Sequence, residues 1–349
     1  MSLISVMIKM SLLLLMSSLV VMSGRLVAEP LSEYQRCLLN RLESATPSLS
    51  VSDLKAQCEK SPPVGTTVVG QPDGSTFDDE EIETDSLIGR RIDAEQKIHT
   101  SPFVLLPHKQ NYALLFSYND MPNYKVYNEP KSYLDRVEMK FQLSFKMPVV
   151  ENLFGSDAGL YAAYTALSFW QAYNRDISSP FRETVHEPEM FLQLPDIWPQ
   201  DWAIYGWRNV LTQFGGVHQS NGQGGYRSRS WNRLYANFLF ERNNLLVGFK
   251  PWYRIPEEEE DDDNPDIDDF LGRYELYGFY KKREQTFSLL MRNLFDGEDR
   301  DTLQLDWSFP LYGHWRGYMQ YFYGYGESMI DYNAKSHRLG LGLQLTDWL

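Results

Sequence analysis

From about residue 105 onward, the chain alternates apolar and polar positions in short segments separated by turn-forming residues. Side chains on a strand point to opposite faces in turn, so each such segment predicts a strand with one greasy and one polar face. The segment 338–349 puts Leu339, Leu341, Leu343, Leu345 and Leu349 on one face. Gly340, Gly342, Gln344, Thr346 and Trp348 fall on the other. The segment 136–149 sets Val137, Met139, Phe141, Leu143 and Phe145 against Glu138, Lys140, Gln142, Ser144 and Lys146. The same reading gives strands at 109–119, 158–173, 189–198, 203–220, 228–242, 245–254, 273–281, 285–295, 303–312 and 316–327. That makes twelve strands, an even number.

The connections sort by length. Those near 199–202, 241–244, 281–285 and 313–316 are short, and that near 150–157 is slightly longer. Those near 120–135, 174–188, 255–270 and 328–337 are long and polar. Alternating hydrophobicity, abundant Tyr and Trp, and short turns on one side with long loops on the other predict an all-β, twelve-stranded antiparallel transmembrane β-barrel. A large soluble β-sandwich would also alternate, but it would not sort its connections in this way. Both termini fall on the short-turn, periplasmic side.

The N-terminal hundred residues have another texture. Lys9 is the only charge before Leu12-Leu13-Leu14-Leu15-Met16 and Leu19-Val20-Val21-Met22, and small residues follow. Residues 1–28 therefore predict a secretory signal with a cleavage point at Val27-Ala28, a retained anchor being the alternative. Cys37 and Cys58 are the only cysteines. In an oxidising compartment the pair predicts a disulfide within a small periplasmic segment, 29–60, contributing roughly 3 kcal/mol. Residues 61–104, rich in Pro, Gly, Thr and acids, predict a flexible linker ahead of a barrel domain at 105–349.

Charge refines this division. The formal net charge is −14, but seven acids lie in 73–85 and ten in 257–269, with no Lys or Arg in either. With those seventeen set aside the rest carries +3. The acidity is local, and no nucleic-acid partner is implied. The run Glu257 to Asp263 reads first as a solvated loop, or as a rim that concentrates divalent cations. The six histidines are scattered without zinc-like spacing.

Chemistry concentrates in His218-Gln219-Ser220-Asn221-Gly222 and, after a glycine-rich loop, Trp231-Asn232-Arg233-Leu234-Tyr235. His218 and Ser220 share a strand face, and Asn232 shares the apolar face of the returning strand with Leu234, Ala236, Phe238 and Phe240. A serine hydroxyl needs a positioned base, and the base needs a group that fixes its tautomer. Ser220 can be the nucleophile, His218 the base and Asn232 the orienting amide, with Asn221 and Gly222 N–H groups as oxyanion donors. Gly-x-Ser-x-Gly is absent, which argues against an α/β-hydrolase. His186 reads as a surface histidine. The strand ends upward, so the site is expected near the extracellular rim.

These two motifs resemble the outer-membrane phospholipase A family. The similarity continues through Val247-Gly248-Phe249-Lys250-Pro251-Trp252-Tyr253, Asp262-Asp263-Asn264-Pro265-Asp266-Ile267 and Ser178-Ser179-Pro180-Phe181-Arg182-Glu183-Thr184. The resemblance implies a twelve-stranded barrel that hydrolyses phospholipid acyl esters in the outer leaflet and needs calcium and homodimerisation for activity. It implies His218, Ser220 and Asn232 as base, nucleophile and orienting amide, and Gly222 as oxyanion donor. It implies calcium ligands at the Gln223 carbonyl, at Ser228, and at Ser178 of the partner subunit. Two departures stand out. Gly224 and Gly225 replace polar or acidic loop residues, and Ala166 stands where the family buries a glutamine at its dimer interface. A non-enzymatic porin or structural barrel with a vestigial site is the competing class.

Overall fold

The computed structural model describes residues 86–98, 104–127, 134–153, 157–198, 203–294, 299–313 and 315–346. The expected signal, the Cys37–Cys58 pair and most of the expected linker lie outside the described residues. A two-residue strand β1 (Leu106–Pro107) precedes twelve longer ones. These are β2 (Asn111–Asn119), β3 (Val137–Leu153), β4 (Ala158–Trp170), β5 (Phe181–Pro195), β6 (Arg208–Ser220) and β7 (Ser230–Arg242). They continue with β8 (Leu245–Ile255), β9 (Tyr274–Lys282), β10 (Gln285–Arg292), β11 (Thr302–Pro310), β12 (Arg316–Gly324) and β13 (Ser336–Thr346). Each pairs antiparallel with its neighbours in sequence, and β13 pairs with β2, so the ring closes. Closure leaves the twelve with no unpaired edge, the condition for a sheet in lipid.

The two faces sort as the alternation predicts. Outward-pointing Phe116, Leu234 and Leu345 are 60%, 53% and 55% exposed, whereas inward-pointing Lys140 and Arg338 are 2% and 3% exposed. The interior is held by ion pairs. Arg338 bridges Glu138 at 2.8 Å and Glu327 at 2.8 Å, and Arg182 meets Glu138 at 3.0 Å. No helix among the described residues is long and apolar enough to cross a membrane. The crossing is made by strands.

Three boundaries depart from the sequence reading. Strand β5 starts at Phe181 and not 189, because Glu183, Glu187 and Glu189 are lumen-facing residues that imitate a polar loop. Strand β6 starts at Arg208 and not 203, so its connection to β5 is longer than expected. Within the expected flexible linker, helix α1 (Leu87–Ile98) is ordered. Its N-terminal amides need acceptors, and Glu241 on β7 supplies them, taking Leu87 N–H and Ser86 Oγ–H at 2.8 Å each. Ile88 and Ile92 pack on Val210, Leu211, Leu239, Leu246 and Phe279. Arg91 donates to the Pro107 carbonyl at 2.6 Å, and Glu95 pairs with Lys146 at 2.9 Å. A cavity of about 290 Å³ lies between this helix and the charged inner wall. Charged and polar side chains from several strands line that cavity.

At the other end, the loop after β8 carries a short helix, α2 (Ile267–Leu271). Its Ile267 and Leu271 join Met329 and Tyr332 from the loop after β12, packing on Trp231 and Trp252. Two loops therefore cap the barrel directly behind the β6–β7 wall.

Candidate active site

Strands β6 and β7 bring the expected residues together. Their register sets His218 opposite Asn232 and Ser220 opposite Ser230. Directly opposed residues share a sheet face, here the outer one, since flanking Phe214 and Leu234 are exposed. His218 Nδ1 and Asn232 Oδ1 are 2.9 Å apart, as an amide that orients an imidazole requires. No hydrogen bond joins Ser220 to His218 among the described residues. That bond is commonly loose before substrate arrives.

The loop between these strands is stapled by buried Asn221. Its Oδ1 accepts from Gln223 N–H at 3.2 Å and Arg229 N–H at 3.1 Å, and its Nδ2 donates to the Arg227 carbonyl at 2.8 Å. The Asn221 N–H itself donates to the Arg229 carbonyl at 3.0 Å. That engages it, correcting the expectation that both Asn221 and Gly222 would serve an oxyanion. Gly222 remains the candidate donor, with φ +61, a left-handed backbone that side chains resist.

The expected calcium ligands sit on the same rim. Gln223 and Ser228 flank the single 3-10 turn Gly225–Arg227. Ser228 Oγ donates to Asp263 at 2.5 Å. A hydroxyl beside a carboxylate is hard-oxygen chemistry that fits calcium. Among the described residues no group of three or more His, Cys, Asp or Glu forms a metal cluster. Ser178 lies in the loop before β5, and it and Ser179 adopt φ +61 and +50. Strain of that kind in non-glycine residues persists only where the surroundings impose it. Here Ser179 N–H donates to the Asn174 carbonyl at 2.9 Å, and Trp170 Nε1–H donates to the Ser179 carbonyl at 2.8 Å.

Two residues at the site escape the sequence reading. His186 on β5 lies opposite Ser220 of β6 and Ala166 of β4, with its Nδ1 2.6 Å from the Tyr164 hydroxyl. The late start assigned to β5 hid that pairing. Glu257 accepts from Asn232 Nδ2–H at 2.9 Å, and no spacing rule separates it from its acidic neighbours. Those neighbours divide: Asp262 takes Arg254 at 2.7 Å, Asp263 takes Ser228, and Glu258, Glu259 and Glu260 face solvent. The capping loops are joined by a hydrogen bond from the Tyr332 hydroxyl to Asp266. Burial and that carboxylate together push the Tyr332 hydroxyl above its usual range.

The family description that fits residues 88–345 is phospholipase A1. The chain belongs to the phospholipase A1 family. Phospholipase A1 of Klebsiella pneumoniae is 38% identical over 254 residues, covering 71% of this chain and 85% of the relative. That of Escherichia coli K12 is 38% identical over 251 residues, covering 71% and 84%. The solved outer membrane phospholipase A from E. coli superposes with a TM-score of 0.68 at 35% identity, covering 74% of this chain and 98% of that one. A Salmonella typhi outer membrane phospholipase, solved as a dimer with bound calcium, gives 0.67 at 34% identity over 76% and 98%. A further E. coli structure carries an asparagine-to-alanine change described as an active-site mutation. The protein is thus an outer-membrane β-barrel and a phospholipase.

Proposed function

We propose that the protein hydrolyses acyl esters of phospholipids in the outer leaflet through Ser220, His218 and Asn232, with phospholipase A1, phospholipase A2 and lysophospholipase activities. The observation that carries this reading is the 2.9 Å contact between His218 Nδ1 and Asn232 Oδ1, on the wall that meets lipid and beside Ser220. Asn232 holds the imidazole so that Nε2 is the bare nitrogen. Ser220 Oγ adds to the ester carbonyl carbon while its proton passes to His218 Nε2. The Gly222 N–H donates to the resulting oxyanion. Collapse breaks the ester C–O bond, and the lysophospholipid leaves with the proton from His218. Water, deprotonated by His218, then adds to the acyl-enzyme, releasing fatty acid and restoring Ser220.

Calcium would be held by the Gln223 carbonyl, by Ser228, and by Ser178 of a second copy, and when bound it would supply positive charge near the developing oxyanion. Asp263, on Ser228, adds a carboxylate to that set. The S. typhi relative, solved as a dimer with bound calcium, supports this reading. Requiring Ser178 from a second copy makes each site incomplete in a monomer, so activity follows homodimerisation. The dimer face would include outward Leu143, Tyr164 and Ala166, which lie on adjacent strands. Residues 1–28 would direct export, and Cys37 and Cys58 would form a disulfide.

The test is fatty-acid release by refolded protein in phospholipid–detergent micelles, comparing wild type with Ser220→Ala, each with calcium and with chelator. Release requiring both Ser220 and calcium is expected. Wild-type activity retained by Ser220→Ala would overturn the reading.

A further inference from the structure

We propose that Glu257 is a positioning residue of this reaction, fixing the Asn232 amide and supplying the negative charge that an asparagine lacks. The inference rests on the reading of Ser220, His218 and Asn232 as the reacting group, and extends it by one residue.

The geometry is a chain of two hydrogen bonds. Asn232 Nδ2–H donates to Glu257 Oε1 at 2.9 Å, and Asn232 Oδ1 faces His218 Nδ1 at 2.9 Å. An ionised carboxylate is acceptor-only, whereas a carboxamide has a donor end and an acceptor end. Glu257 therefore decides which way Asn232 turns: the NH2 must face the carboxylate and the oxygen must face the imidazole. That oxygen can only accept, so His218 must carry its proton on Nδ1. Nε2 is then left bare, on the nitrogen where the serine proton must arrive. One carboxylate thus sets, through the amide, the tautomer that makes His218 a base.

Charge follows the same path. When His218 takes the serine proton it becomes a cation beside a neutral amide. Hydrogen bonds in series polarise one another, so an anion behind Asn232 draws negative charge onto Oδ1 and steadies the imidazolium. Among the described residues Glu257 forms no ion pair, so its charge is not spent on a nearby cation.

Its placement is firm. Asn232 pairs across the ladder with Ile255, the last residue of β8. Glu257 follows two residues later, after Pro256, and is half-buried, whereas Glu258, Glu259 and Glu260 are exposed. Of the acidic run, it alone reaches the Asn232 amide.

The experiment is a double-mutant cycle on calcium-saturated protein refolded in mixed micelles, with the barrel verified by heat-dependent migration on gels. In the wild-type background, Glu257→Gln and Glu257→Ala are expected to lower kcat by about tenfold. KM and the calcium concentration for half-activation should hold, and Glu257→Asp should recover part of the loss. In the Asn232→Asp background the loss should vanish or reverse. There Glu257 faces a second carboxylate, and Glu257→Gln should leave kcat unchanged or raise it. Equal losses in both backgrounds, wild-type kcat for Glu257→Gln, or a loss tracking a changed calcium requirement would each overturn the proposal. Ser220→Ala in the same assay separates the two levels: its retained activity would remove the reading beneath, and this proposal with it.

Discussion

Glu327, from the loop after β12, reaches back among the barrel's buried charges to take Lys140 Nζ at 2.9 Å, while Arg338 Nε meets the same carboxylate at 2.8 Å. Burial alone would raise its pKa. Arg338 and Lys140 outweigh that and hold it far below the ordinary 4.5. A carboxylate depressed in the folded state contributes stability in full above its unfolded pKa, and loses it as pH falls towards the folded one. Thermal unfolding followed by gel migration should therefore show stability declining on acidification below about 4.5. Glu327→Gln should start less stable, by about 3–5 kcal/mol, because two buried cations lose their partner. Its acid decline should be shallower. An unchanged acid profile in this variant would exclude Glu327 as the source.

Gly222→Ala tests the oxyanion assignment without crowding. An added Cβ would meet the His186 ring at 3.6 and 3.7 Å, an ordinary contact. The cost is the left-handed backbone, about 1–2 kcal/mol, relieved by turning the N–H away from the oxyanion. A fall in kcat of about a hundredfold is expected, in a barrel that still migrates as folded. Kinetics within twofold of wild type would remove the donor role.

Ser228→Ala and Asp263→Asn address the metal. Each removes one hard oxygen from the proposed calcium set, so calcium titrations of activity should shift half-activation upward by about tenfold. Full restoration at high calcium is expected of both. Titrations that superpose on wild type would move the metal elsewhere.

Ala166→Gln addresses association. The position faces outward between Leu143 and His186, and an amide there could hydrogen-bond across the two-fold. Polar contacts between membrane segments contribute about 0.6 kcal/mol on average, so sedimentation in detergent should show a modest gain of dimer. A lower dimer fraction would place the interface on another wall.

Much of this was legible in the sequence, for a physical reason. Lipid outside and a charged interior impose a period of two, so Leu339, Leu341 and Leu345 declared their face without any structure. The meeting of His218 with Asn232 beside Ser220 was legible because the three lie on neighbouring strands with a short loop between. What failed to show were contacts with no local period. Helix α1 hid in a polar stretch because its partner Glu241 is 154 residues away. His186 hid because lumen-facing glutamates made β5 look like a loop. Glu257 hid among identical acids, and only the fold of one loop sets it apart.

The seam between β13 and β2 gives the C-terminal strand a role in assembly. Asn111 Nδ2 reaches Thr346 Oγ1 at 2.8 Å across 235 residues of sequence. Until Leu339 to Thr346 are in place, β2 and β12 both present open edges, and an open edge is intolerable in hydrocarbon. Strand β13 is therefore the latch. Closure thus makes segments 235 residues apart in sequence into partners across one seam.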